Sequence, residues 1–120
     1  MSGRLKRVNQ LLKEEISQII QKELDNPSIG FVTVTKVDIN HDLSIAKVYI
    51  SVMEKNERKQ DTLKALNNAS SYIKKLLGAR IKLRYMPEVK FFEDKSIDEG
   101  LKLQRLFRKI DTERNEKNES

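Results

Sequence analysis

Cysteine is absent from this 120-residue chain. That excludes disulfides and cysteine-ligated zinc or iron–sulfur centres, and it fits a reducing compartment. Tryptophan is absent too. Three tyrosines and four phenylalanines are the whole aromatic complement, and no aromatic pair sits together on a predicted strand facing one way, so base stacking is not the expected main mode of contact with a nucleic acid. The four glycines, at 3, 30, 78 and 100, are too scattered to cradle phosphate, and neither GxxxxGK[ST], GxGxxG nor HExxH occurs. No apolar run approaches the roughly 18 residues of a membrane span. The start, MSGRLKRVNQ, lacks the apolar stretch of a signal peptide. The expectation is a cytoplasmic protein and a monomer.

Catalytic constellations are missing as well. The one histidine, His41, sits in a predicted turn beside Asp42 with no nucleophile nearby in sequence, and most lone turn histidines are solvated or structural. Glu14-Glu15 and Glu93-Asp94 are acidic pairs, but adjacent residues on a helix or strand point apart. No catalytic residue, metal-ligand set or cofactor site is expected. A hydrolase built on His41 and Asp42 is the weakest of the rival readings.

Charge is what the chain has in quantity. Charged residues make up 35% and apolar residues only 38%, so a single thin core is expected under a heavily solvated surface. The last ten residues, DTERNEKNES, hold two basic and four acidic side chains, which leaves 22 basic against 14 acidic over residues 1–110, a net of +8. A basic body raises the case for an anionic partner such as RNA.

Apolar residues at steps of three and four, from Leu5 to Leu24, predict a first helix over Ser2 to Lys22, stopped at Asp25-Asn26-Pro27. Arg4, Lys6 and Arg7 crowd its first turns, where the helix dipole favours acids. Ile29 to Ile39 predicts a strand whose alternation breaks midway, so either a bulge switches its phase or both faces are partly covered. After a turn at Asn40–Leu43, Ser44 to Met53 alternates cleanly, which predicts an antiparallel hairpin. Glu54 to Gln60 reads as a polar connector, with Asp61 or Thr62 as the cap of a helix. Past Gly78, Ala79 to Tyr85 alternates with period two and is expected to be extended. Glu88 to Glu93 predicts a third strand. Ser96-Ile97-Asp98-Glu99 matches a capping box that opens a last helix with Leu103, Leu106, Phe107 and Ile110 on its apolar side. A polar, disordered tail is expected over 111–120.

The segment from Asp61 to Arg84, DTLKALNNASSYIKKLLGARIKLR, stands apart. Its helical periodicity runs through Asn67-Asn68-Ala69-Ser70-Ser71, where four of five side chains compete for backbone hydrogen bonds and weaken the helix. Lys74, Lys75, Arg80, Lys82 and Arg84 follow with no acid among them. Each can neutralise a phosphate. Asn67, Asn68, Ser70 and Ser71 can donate to phosphate or ribose. Tyr72 and Tyr85 are expected at the core or its boundary.

Three blocks carry a family resemblance: RLKRVNQLLKEEISQII, IGFVTVTKVDINHDLSIAKVYISV and ALNNASSYIKKLLGARIKLRYMPEVKFFEDKSIDEG. Together they make the chain, to about Ile110, resemble the ribosome-binding factor A family of bacterial small-subunit assembly factors. The resemblance implies an α+β, type II KH-like domain over 1–110, with a three-stranded mixed sheet and helices packed on it. It implies an interrupted helix in place of the usual GxxG loop, marked by Ala-x-Gly. The matching positions are Ala69, Ser70 and Ser71, so serine stands where glycine would ease a kink. It also implies binding to the 30S subunit and 16S rRNA during late maturation, including processing of the 16S 5′ end, without catalysis or cofactor. The expected RNA-binding residues are Asn68, Ala69, Ser70, Ser71, Lys74, Lys75, Arg80, Lys82 and Arg84, with Arg4, Lys6 and Arg7 extending the path. The rival reading is an interaction module whose basic face docks an acidic ribosomal protein or an assembly GTPase.

Overall fold

The computed structural model describes residues 3–53, 56–96 and 103–111. The order is α1 (Gly3–Lys22), β1 (Val32–Ile39), β2 (Ile45–Val52), α2 (Asn56–Asn68), α3 (Ser70–Arg80) and β3 (Glu88–Glu93). A further helical stretch covers 103–111. The strands form one sheet in the order β1-β2-β3, with β1 antiparallel and β3 parallel to β2. This is the mixed three-stranded sheet that the family resemblance implies.

One face of the sheet carries the core. Leu12, Ile16 and Ile19 of α1 are fully buried with Leu66, Ile73 and Leu77 of the α2–α3 pair. They meet Val48 and Ile50 of the central strand, together with Val89 and Phe91 of β3. The predicted break in β1 is a bulge, placed by a register shift between Val34 and Lys36. The extra residue, Thr35, moves Val37 and Ile39 onto the same buried face as Val34. Its hydroxyl donates to Asp94 Oδ2 at 2.6 Å, with Tyr49 O at 3.2 Å. The hairpin turn works through its side chains. Asn40 Oδ1 accepts from Ile45 N at 2.9 Å, and Asp42 Oδ1 accepts from the Ser44 hydroxyl at 2.7 Å. Leu43, at a φ of 62°, takes the left-handed position.

Three expectations change. Helix α2 begins at Asn56, inside the stretch that reads as a connector. Thr62 is therefore no cap. It is buried in α2, where its Oγ1 accepts from Gly30 N at 3.2 Å and donates to Ser28 O at 3.3 Å, fastening the loop before β1. Residues 79–85 form no strand, because α3 continues through Gly78 to Arg80. Ile81 is extended, the chain bends at Arg84 and Tyr85, and β3 pairs with β2 instead of with this piece. Past the end of β3, Ser96, the first residue of the predicted capping box, gives its N–H and hydroxyl to Asp94 Oδ1 at 2.9 and 2.6 Å. The rest of the capping box and the tail from 112 on lie outside the described residues. On 103–111 the predicted apolar side, Leu103, Leu106, Phe107 and Ile110, is exposed.

Candidate nucleic-acid interface

The interruption predicted around Asn68–Ser71 falls at one residue, Ala69, between α2 and α3. Its φ of −90° and ψ of 1° leave the helical region without entering the left-handed one. The Ala69 N–H is shared between Ala65 O and Leu66 O at 3.0 and 3.1 Å, and Ala69 O accepts from Ile73 N at 2.9 Å. Ala69 alone joins the two helices, through its N–H and its carbonyl, across the bend. Ser71 lies inside α3 and needs no positive φ, so the missing glycine costs nothing at that position. Leu66, Ile73 and Leu77 stay buried on both sides of the bend, which is what holds it in place.

Helix α3 starts with no side-chain cap and no acid in its first turn, leaving the positive end of its dipole uncompensated by any side chain. Around that end, Asn68 and Ser71 are exposed and Ser70 is half-buried. A groove of about 420 Å³ runs beside it, lined by Asn67, Ser70 and residues 88–92 of β3. A second, of about 280 Å³, is lined by Asn26, Ser28, Asp61, Lys64, Ala65 and Asn68. Polar hydrogen-bonding groups therefore flank the bend on two sides.

The expected contact residues separate once their partners are known. Lys75, Lys82 and Arg84 are exposed, and no carboxylate among the described residues lies at ion-pair distance from them. Lys74 meets Glu88 Oε1 at 2.6 Å across the edge of the sheet. Arg80 is spoken for within the fold, in a way its sequence context does not reveal. Its guanidinium reaches Glu15 Oε2 at 3.4 Å, Gln18 Oε1 at 3.2 Å and Glu23 Oε1 at 3.1 Å, clamping α3 to α1. Asn67 is structural also. Its amide donates to Phe91 O at 3.2 Å and accepts from Phe91 N at 2.9 Å, tying the bend to β3. Tyr72 and Tyr85 are exposed rather than in the core, the Tyr85 ring lying 5.5 Å from the Arg84 guanidinium carbon.

Arg4, Lys6 and Arg7 are exposed on the first turns of α1. Further along that helix, Asn9 Oδ1 accepts from the N–H of Ile39 at the end of β1. Helix α3 meets α1 through Arg80 at Glu15, Gln18 and Glu23, two turns and more beyond Arg7, so these three residues lie toward the other end of α1 from that contact. Two cations enter that the sequence reading passes over. Lys64 lies one helical turn before Asn68, a spacing visible in the sequence. Lys90 reaches the groove beside Ser70 only through the placement of β3.

Among the described residues no group of three or more acidic, histidine or cysteine side chains is placed to hold a metal ion. His41 is exposed in its turn. The Asp42 carboxylate is held below its ordinary pKa by the Ser44 hydroxyl and N–H, so it is occupied by the turn itself. No helix among the described residues is long and apolar enough to cross a membrane.

Residues 4–107 match the family described as Ribosome-binding factor A. The protein of that name from Halothermothrix orenii is 41% identical over 110 residues, covering 92% of this chain and 90% of its own. The one from Brevibacillus brevis is 39% identical over 117 residues, covering 98% and 97%. The crystal structure of ribosome-binding factor A from Thermus thermophilus superposes with a TM-score of 0.67 at 26% identity, over 74% of this chain and 94% of that one. A homology model of the Thermus thermophilus protein, fitted into the cryo-EM map of its 30S complex, gives a TM-score of 0.61 at 26% identity, over 72% and 91%. A family match over residues 4–107, with relatives about 40% identical along nine-tenths or more of the chain, places this chain in the ribosome-binding factor A family.

Proposed function

We propose that this protein binds the 30S ribosomal subunit and its 16S rRNA during late small-subunit maturation, including processing of the 16S 5′ end, and that it does so without catalysis. The observation that carries the reading is the bend at Ala69. An uncapped helix start is flanked there by Asn68, Ser70 and Ser71, with exposed Lys75, Lys82 and Arg84 downstream, which no carboxylate among the described residues pairs. Such a surface suits sugar–phosphate backbone, since hydroxyls, amides and a helix N-terminus bind phosphate without reading bases. Lys74 joins it once an incoming phosphate replaces Glu88, and Lys64 borders the neighbouring groove. Arg80 is assigned to the α1–α3 clamp, from which it supports the surface. Arg4, Lys6 and Arg7 form a separate basic patch on α1 for a more distant stretch of the same RNA. The name of the relatives and the 30S complex of the Thermus thermophilus protein support the choice of partner.

The test is the double variant Lys75→Glu/Lys82→Glu, assayed for 30S binding across a salt series. Losing two phosphate contacts flattens the slope of log affinity against log salt by about 1.5, with a matching loss of affinity at low salt. Unchanged affinity and slope would remove these lysines from the interface. Retention on a ribosomal protein or GTPase after exhaustive ribonuclease treatment would favour the protein-docking alternative.

A further inference from the structure

Helices α1, α2 and α3 cover only one face of the sheet. On the other, strand register sets Lys36, Tyr49 and Phe92 in one row across all three strands, and Asp38, Lys47 and Lys90 in the next. The Tyr49 and Phe92 ring centroids are 5.9 Å apart with planes inclined by 33°, and Lys36 Nζ stands 5.8 Å from the Tyr49 centroid. Thr33 faces Ser51 on the opposite side of the aromatic row. Next to them in the chain's alternation come Phe31 and Met53, 75% and 79% exposed. This much aromatic and apolar surface in water is not accounted for by packing within the described residues.

The charges on this face favour an anion. Among the described residues Lys36, Lys47 and Lys90 have no ion-pair partner. Of the acids nearby, Asp38 lies opposite Lys47, Glu88 on the same side of β3 is paired with Lys74, and the Asp94 carboxylate, which also feels the Lys36 charge, is taken up by Thr35 and Ser96. What remains is a cationic border around an aromatic pair.

We infer that the open sheet face binds unpaired RNA. Bases stack on Tyr49 and Phe92, and the intervening phosphates lie against Lys36, Lys47 and Lys90. Stacking on aromatic side chains is how exposed sheets hold single strands, and it tolerates any base because each has a π-face. An acidic polypeptide would satisfy the lysines but leave the rings unused. The surface meets the groove beside the bend along β3, where Lys90 and Phe92 belong to both, and it recognises a different feature, splayed bases rather than backbone. Its test, on a free oligonucleotide, does not depend on the function proposed above.

The experiment titrates an isotopically labelled full chain with an eight-nucleotide oligouridylate, following ring resonances by NMR and affinity by fluorescence anisotropy. Stacking moves the Tyr49 and Phe92 ring protons upfield. Tyr49→Leu/Phe92→Leu keeps the face apolar but removes its rings, and should weaken binding about tenfold or more. Lys36→Gln/Lys47→Gln leaves the rings in place and should flatten the salt slope by about 1.4 for a single strand. Absence of binding, shifts confined to residues 68–84, or an unaffected double-leucine variant would overturn the inference, as would equal ring shifts with polyglutamate. Lys75→Glu/Lys82→Glu keeps the sheet face intact, so retained oligouridylate binding beside lost 30S binding separates this surface from the bent helix.

Discussion

Replacing Arg80 with alanine removes two ion pairs, to Glu15 and Glu23, and one hydrogen bond, to Gln18, all between α3 and α1. The Arg80 side chain is only 26% exposed and Glu15 23%, whereas Glu23 at 42% is well screened by solvent. Partly exposed pairs contribute about 0.2–1 kcal/mol each, and the solvent-exposed hydrogen bond to Gln18 about 0.5–1.5 kcal/mol. Giving Glu23 the bottom of that range, the clamp contributes about 1.5 kcal/mol. For a domain of this size that corresponds to a fall in Tm of roughly 6 °C. Thermal melts followed by circular dichroism measure it. Arg80→Lys keeps a charge but loses the planar fork, so about half the loss is expected. At 1 M salt, where the screening length is about 3 Å, the gap between parent and alanine variant should narrow. An unchanged Tm, coupled with a 30S salt slope flattened by about one unit, would refute the clamp and put the guanidinium on phosphate.

Asn67→Ala and Asn68→Ala should behave oppositely despite adjacency. The first strips both hydrogen bonds from the Phe91 backbone and should cost about 2 kcal/mol by urea denaturation. The second leaves stability within about 0.5 kcal/mol while weakening 30S binding. On the acid side, the Asp94 carboxyl is held below its ordinary value first by the Ser96 hydroxyl, then by Thr35 and the Ser96 N–H. A pKa lowered on folding means the aspartate's contribution is complete above its unfolded value near 3.8 and is lost as pH falls through the lower, folded one. Asp94→Asn should therefore flatten the decline of Tm below about pH 4. An equally steep decline in that variant would assign the acid sensitivity to other carboxylates.

The hairpin was legible because its signals are local. β-branched residues alternate over Ser44–Met53, and Asn40 and Asp42 carry turn chemistry in their own side chains. The phase break in β1 was visible too, and Thr35 resolves it as a bulge. The bend at Ala69 could be anticipated from the competing side chains around it. The start of α2 could not, since its first turns are polar and, among the side chains described, its buried residues begin at Thr62. The alternation of 79–85 misleads because it reproduces a strand's pattern where no strand stands beside it to accept the ladder. What lies furthest from the sequence is pairing at long range. Arg80 and Glu15 are 65 residues apart, and Tyr49 meets Phe92 only after α2 and α3 have carried the chain over to form a parallel pair. No window on the chain contains either contact. The partners of Arg80 and the aromatic row on the sheet were accordingly hidden.

The Asn67 amide has a further effect at the rim of the sheet. Glu88 and Asp94 direct their N–H groups inward to β2, so Val89, Phe91 and Glu93 turn theirs toward the open side. The middle one, Phe91, is met by Asn67 through both its donor and its acceptor. One carboxamide thus imitates a single residue of a fourth strand and breaks the row a foreign strand would need for continuous pairing. The same side chain that holds the elbow against β3 also keeps copies of the protein from zipping together edge to edge.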